Sequence, residues 1–96
     1  MAAYLIFIRD EPPHAPAEME EYSRKTRAIP PDPNLTPLAI YGAVEGIEGA
    51  TPDGVVLLRF PTMADARSWY ESPGYQEAAV HRRRGADYRA ILVEGL

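Results

Sequence analysis

Four short runs of β-branched and aromatic residues, separated by two stretches of helical character, leave this chain few ways to fold. The first, Tyr4 to Arg9, reads Tyr-Leu-Ile-Phe-Ile-Arg and is closed by Asp10 and two prolines, which predicts a strand apolar on both faces. Leu38 to Glu45 predicts a second strand, and Gly46 to Gly54 its hairpin connection. Val55 to Phe60, stopped by Pro61, predicts a third, and Tyr88 to Glu94 the last. Between the first two strands, Pro16 suits a first helical turn, with Glu18, Glu20 and Glu21 early and Arg24, Lys25 and Arg27 late, in the sense the helix dipole favours. Met19, Tyr22, Thr26 and Ile29 supply the buried stripe of that helix, which ends before Pro30-Pro31. Pro30 to Pro37 holds four prolines and reads as an extended connector. After the third strand, Thr62 caps a helix from Met63, with Asp65 at its third helical position and Ala66, Trp69 and Tyr70 on its buried side. Ser72-Pro73-Gly74 breaks this helix, with Ser72 placed to cap its continuation, Tyr75 to about Arg84.

The order β-α-β-β-α-β points to an α+β ferredoxin-like sandwich, an antiparallel sheet in the order 4-1-3-2 with the helices on one face. Ninety-six residues make one domain, 1–96. A chain this short buries only about 60–65% of its unfolded surface, and without cysteine no disulfide or metal–thiolate staple adds stability, so self-association is the expected remedy. A net charge of −4 offers no basic field for nucleic acid or anionic lipid. The start lacks the cationic region of a signal peptide, and no run approaches the roughly 18–20 apolar residues of a membrane helix, so a soluble, cytoplasmic protein is expected.

Strand alternation then assigns faces. Tyr4, Ile6, Ile8, Leu38, Ile40, Val56, Leu58, Phe60, Tyr88 and Leu92 are expected under the helices. Leu5, Phe7, Arg9, Tyr41, Val55, Leu57, Arg59, Arg89, Ile91 and Val93 are expected on the open face. Such a greasy open face calls for a second copy of the same sheet. The same phase sets Arg9 beside Arg89 at one end of that face and gathers Arg59 with Tyr41 near the other. They either pair with Glu45, Glu94 or a partner's carboxylate at the rim or serve as anchors for a small anionic ligand between the sheets.

Chemistry is thinner. His14, in a proline-rich loop, and His81, on the second helix before Arg82-Arg83-Arg84, are the side chains that titrate near neutrality unperturbed, and with Tyr70 they form the candidate catalytic set. Trp69 and Tyr75 join Arg9, Tyr41, Arg59 and Arg89 as candidate ligand contacts. No spacing of histidine, cysteine or carboxylate supports a metal, and no glycine-rich fingerprint supports a nucleotide cofactor. The missing catalytic motif and the arginine and tyrosine clusters point to a dimeric domain binding a small anionic or aromatic metabolite.

Phe60-Pro61-Thr62, Ala66, Trp69-Tyr70, Ser72-Pro73, Tyr75-Gln76, Arg82 and Val93-Glu94-Gly95 together resemble the family known as domain of unknown function 1330, of the dimeric α/β-barrel superfamily. Met19 stands where that family usually has an aromatic, and Pro30–Pro37 and Ile40-Tyr41-Gly42 replace its usual glycine-arginine segments. The resemblance implies homodimers in which two sheets close one barrel. It implies no general activity for the family. Some relatives in that superfamily are cofactor-independent enzymes, so the alternative function it implies is a cofactor-independent enzyme (isomerase, lyase or oxygenase) acting on a small polar or aromatic acid.

Overall fold

The computed structural model describes residues 1–96. In chain order the elements are β1 (Ala3–Arg9), α1 (Pro16–Ala28), β2 (Thr36–Ile40), β3 (Gly54–Phe60), α2 (Met63–Glu71), α3 (Pro73–Gly85) and β4 (Tyr88–Glu94). The strands form one antiparallel sheet in the order β2-β3-β1-β4, the expected 4-1-3-2 read from the other edge. The expected second helix is two helices. Ser72 is extended (φ −60°, ψ 143°), and Pro73 opens α3 where its missing N–H costs nothing. Ser72 does not cap α3 with its side chain; its hydroxyl donates backwards to the Trp69 carbonyl at 2.7 Å. Thr62 does cap α2, accepting from the Asp65 N–H at 3.1 Å.

Two strand expectations need correction. β2 begins at Thr36, inside the expected connector, and stops at Ile40 rather than running to Glu45. Proline is tolerated there because β2 lies at the sheet edge, and the strand ends because Tyr41 turns into the left-handed region at φ 51°. A register shift between Pro37 and Ala39 leaves Leu38 without a partner in the ladder.

The second correction concerns the phase of β1. Leu5 lies opposite Leu58 and Leu92, Phe7 opposite Val56 and Ala90, and Arg9 opposite Gly54 and Tyr88. Ala3, Leu5 and Phe7 are buried beneath the helices, packed with Leu58, Phe60, Ala66, Tyr75 and Ala79. Tyr4, Ile6 and Ile8 therefore belong to the open face and Arg9 to the helix side, the reverse of the alternation reading. A strand apolar on both faces carries no phase of its own, so pairing with β3 and β4 sets it. Arg9 and Arg89 consequently point to opposite faces, and the paired-arginine anion site does not exist. The open face nevertheless stays apolar: Tyr4, Ile6, Ile8, Val55 and Leu57 are half-buried, with Ile91 45% and Val93 46% exposed.

Candidate functional site

On the helix side, α2 and α3 press their small and aromatic residues directly onto the sheet. Trp69 and Tyr75 stack at 4.3 Å between ring centroids, with Phe60 at 5.8 Å from Trp69 and Phe7 at 6.3 Å from Tyr75. The first helix behaves differently. α1 leans on α3, with Met19 against Gly85 and His81 Nδ1 2.6 Å from Glu18 Oε2, and buries none of its residues completely. Its expected core stripe of Met19, Tyr22, Thr26 and Ile29 is half-buried, with Tyr22 and Ile29 packed against the core, and lines a cavity of about 640 Å³. The floor is Phe7, Val56, Leu58 and Ile40, and Trp69, Tyr41 and Tyr88 complete the walls. The volume lies within the roughly 300–1,000 Å³ typical of small-molecule sites.

Two ionisable side chains, Asp32 and Arg82, line this mostly apolar space. Arg82 is only 5% exposed, and its guanidinium carbon lies 5.3 Å from the Phe7 ring centroid and 5.1 Å from that of Tyr88. No carboxylate approaches it within 4 Å, and its buried Nε has no hydrogen-bond partner. Two aromatic faces offset part of the desolvation of a buried cation, by about 2 kcal/mol, but they accept none of its N–H groups in plane.

Hydroxyl pairs flank this cation. Tyr22 and Tyr75 share a hydrogen bond of 3.0 Å, and Tyr41 and Tyr88 one of 2.6 Å. Burial, then the neighbouring Tyr75, push the Tyr22 phenol far above its ordinary range. Burial lifts Tyr75 as well, against the opposing pull of the Tyr22 bond and the Arg82 charge. Tyr41 is raised by burial and by its bond to Tyr88. Behind the cavity wall, Arg9 donates from Nε to Asp53 Oδ2 at 2.7 Å and from Nη1 to the Tyr88 hydroxyl at 3.1 Å. Desolvation there is outweighed by Tyr88 and Asp53, which hold Arg9 above its usual pKa.

The sequence-derived candidates scatter. Tyr41 and Trp69 line the cavity, while Arg9 and Tyr75 stand one hydrogen bond behind it, through Tyr88 and Tyr22. Tyr41 reaches the helix side, not the open face, because its left-handed backbone carries it out of the strand. Arg59 and Arg89 lie on the open face; Arg89 binds Asp10 there at 3.2 Å. Neither histidine lines the cavity. His14 is exposed, 3.9 Å from Asp87, and His81 is engaged with Glu18. Tyr70 borders a separate hollow of about 270 Å³ beside β4; burial raises its phenol, but the neighbouring Arg83 and Arg82 cations win and bring it below its ordinary pKa. Arg82, Tyr88 and Tyr22 were missing from the expected site. A usable signal existed for Arg82: Tyr75, Ala78, Ala79 and Arg82 fall at helical spacing on one buried face of α3. Among His, Asp and Glu, no group of three is arranged to hold a metal, and no helix is long and apolar enough to cross a membrane.

The match to a family model describing the Domain of unknown function (DUF1330) spans residues 2–96. The chain belongs to this family. No curated protein matches it. Among solved structures, the chain resembles a protein of unknown function from Rhodopseudomonas palustris, at 18% identity and a TM-score of 0.67, covering 99% of this chain and 82% of the other. A dimeric protein of unknown function with a ferredoxin-like fold from Bacteroides fragilis is similar at 14% identity and a TM-score of 0.56, covering 98% and 95%. SnoaB, a cofactor-independent oxygenase from Streptomyces nogalater, is similar at 18% identity and a TM-score of 0.55, covering 99% and 92%. At these identities the likeness shows a shared ferredoxin-like fold.

Proposed function

We propose that this DUF1330 protein is a homodimeric binding module for a small amphipathic carboxylic acid, held in the cavity beneath α1 with its carboxylate on Arg82. The observation that carries the reading is the buried guanidinium of Arg82, with no carboxylate within 4 Å, in a mostly apolar space. A carboxylate accepts two parallel N–H bonds from a guanidinium, and a hydrocarbon or aryl body fills the room between α1 and the sheet. Binding is favoured over acid–base catalysis because no histidine lines the cavity, and its carboxylate, Asp32, accepts from the Asn34 N–H in a local turn. Likeness to an oxygenase that needs no cofactor keeps catalysis as the second reading, with Trp69 and the tyrosines as its reacting surroundings. Homodimerisation is supported by the apolar open face and by dimeric structural neighbours.

A thermal-shift panel of aryl and alkyl monocarboxylates beside their uncharged amides tests the binding reading. Acids that fit are expected to stabilise the protein by about 2.7 kcal/mol at a hundredfold excess over Kd, their amides far less. Arg82→Gln is expected to erase the difference. Equal shifts for acids and amides, or for parent and variant, refute the assignment.

A further inference from the structure

Tyr41 and Tyr88, both on the cavity wall, are joined by the 2.6 Å hydroxyl bond, and Arg9 donates to Tyr88 from behind. A guanidinium carries donors and no acceptor, so Tyr88 accepts from Arg9 and its own proton is not spent there. The two phenols hold two protons. One lies between them whichever ring donates, and the other meets no acceptor within the protein. The pair thus keeps one uncommitted O–H, on one ring or the other, polarised by the neighbouring Arg9 cation.

The placement of Tyr41 is built rather than incidental. Its backbone sits at φ 51°, which side-chain-bearing residues seldom adopt, and its ring lies over Gly54. A Cβ at position 54 would come 2.6 Å from Cδ1 of that ring, so the phenol rests where a side chain is missing. There it also covers Arg9, whose guanidinium carbon is 4.8 Å from the ring centroid. Tyr88 is common to both features, with Arg82 on its ring and Arg9 on its hydroxyl.

We propose that the Tyr41–Tyr88 pair is a second recognition point, donating a hydrogen bond to an acceptor oxygen of the bound acid, so that the ligand class is an oxo-substituted carboxylic acid. This rests on the reading that Arg82 takes the carboxylate. Because Tyr88 touches both points, the oxo group and the carboxylate lie within a few bonds of each other.

Calorimetric titration with phenylbutanoate and two oxo derivatives, the ketone next to the carboxylate or next to the ring, separates the claims. The parent acid is expected to bind, and at least one oxo acid to bind about tenfold more tightly, the worth of one net hydrogen bond. Tyr41→Phe and Tyr88→Phe should each abolish that preference while leaving the parent acid's affinity in place, and Arg82→Gln should weaken all three acids alike. Equal binding of the three acids to the unmodified protein, or a preference that survives both phenylalanine variants, overturns the second point and leaves the carboxylate reading standing. No binding by any acid, or affinities unmoved by Arg82→Gln, removes that reading and this proposal with it.

Discussion

Three of the six tyrosines, Tyr22, Tyr41 and Tyr75, hold their phenols above the ordinary pKa of 10.0, chiefly because burial disfavours the phenolate. In an unfolded chain the same groups ionise near pH 10. Their contribution to stability is therefore whole below about pH 10 and is lost as pH climbs from there toward the folded values. An alkaline titration should show the phenolate absorbance of these three appearing only together with the loss of near-ultraviolet circular dichroism. If all six ionise smoothly near pH 10 in a still-folded protein, the hydroxyl pairs are open to water. Arg82 belongs to the same cluster, and its placement was partly legible. Its spacing from Tyr75, Ala78 and Ala79 marks a buried face, but the flanking Arg83 and Arg84 make the run read as a solvated helix end.

Thr62 is the clearest case of a local signal that survives into the fold. Its hydroxyl accepts from the Asp65 N–H and donates to the Asp65 carboxylate at 2.9 Å, closing the first turn of α2. Thr62→Ala is expected to cost about 1 kcal/mol, which for a domain of this size lowers Tm by roughly 4–8 °C. A melting temperature within a degree or so of the parent's would mean that water caps the helix equally well. Ser72 carries a similar signal with another outcome, because Pro73 starts α3 without needing a cap and the hydroxyl turns back to Trp69. The end of β2 had no local marker. Tyr41 is a good strand former, and its left-handed backbone arises from where its ring must lie, over Gly54 and against Arg9.

Across the whole molecule, the two sheet faces have different fates. One is covered by α2 and α3 and, across the cavity, by α1; the other presents Tyr4, Ile6, Ile8, Leu57, Ile91 and Val93 to the outside. Leu57 sits between Ile6 and Ala39 on this face, so Leu57→Asp would put an unpaired charge into the proposed sheet-to-sheet contact, at a cost of several kcal/mol. Sedimentation at micromolar concentration is expected to show a dimer for the parent and a monomer for the variant. A variant that sediments as a stable dimer locates the interface elsewhere.

Element order, strand number, the proline-opened helices and the break at Ser72 follow from propensity, capping and apolar patterning along the chain, all local in origin. So does the existence of an apolar open face, because enough β-branched residues are present that neither side of the sheet can be wholly polar. The phase of β1 is different in kind. Tyr4 through Ile8 are apolar without interruption, so either alternation buries them equally well, and only antiparallel pairing with β3 and β4 selects Leu5 and Phe7 for the core and sends Arg9 to the helix side. The cavity is likewise a product of assembly. α1 carries the amphipathic stripe of a packed helix, but it docks on α3 through Gly85 and His81, and that contact holds Met19, Tyr22, Thr26 and Ile29 off the sheet and leaves Arg82 facing the space between.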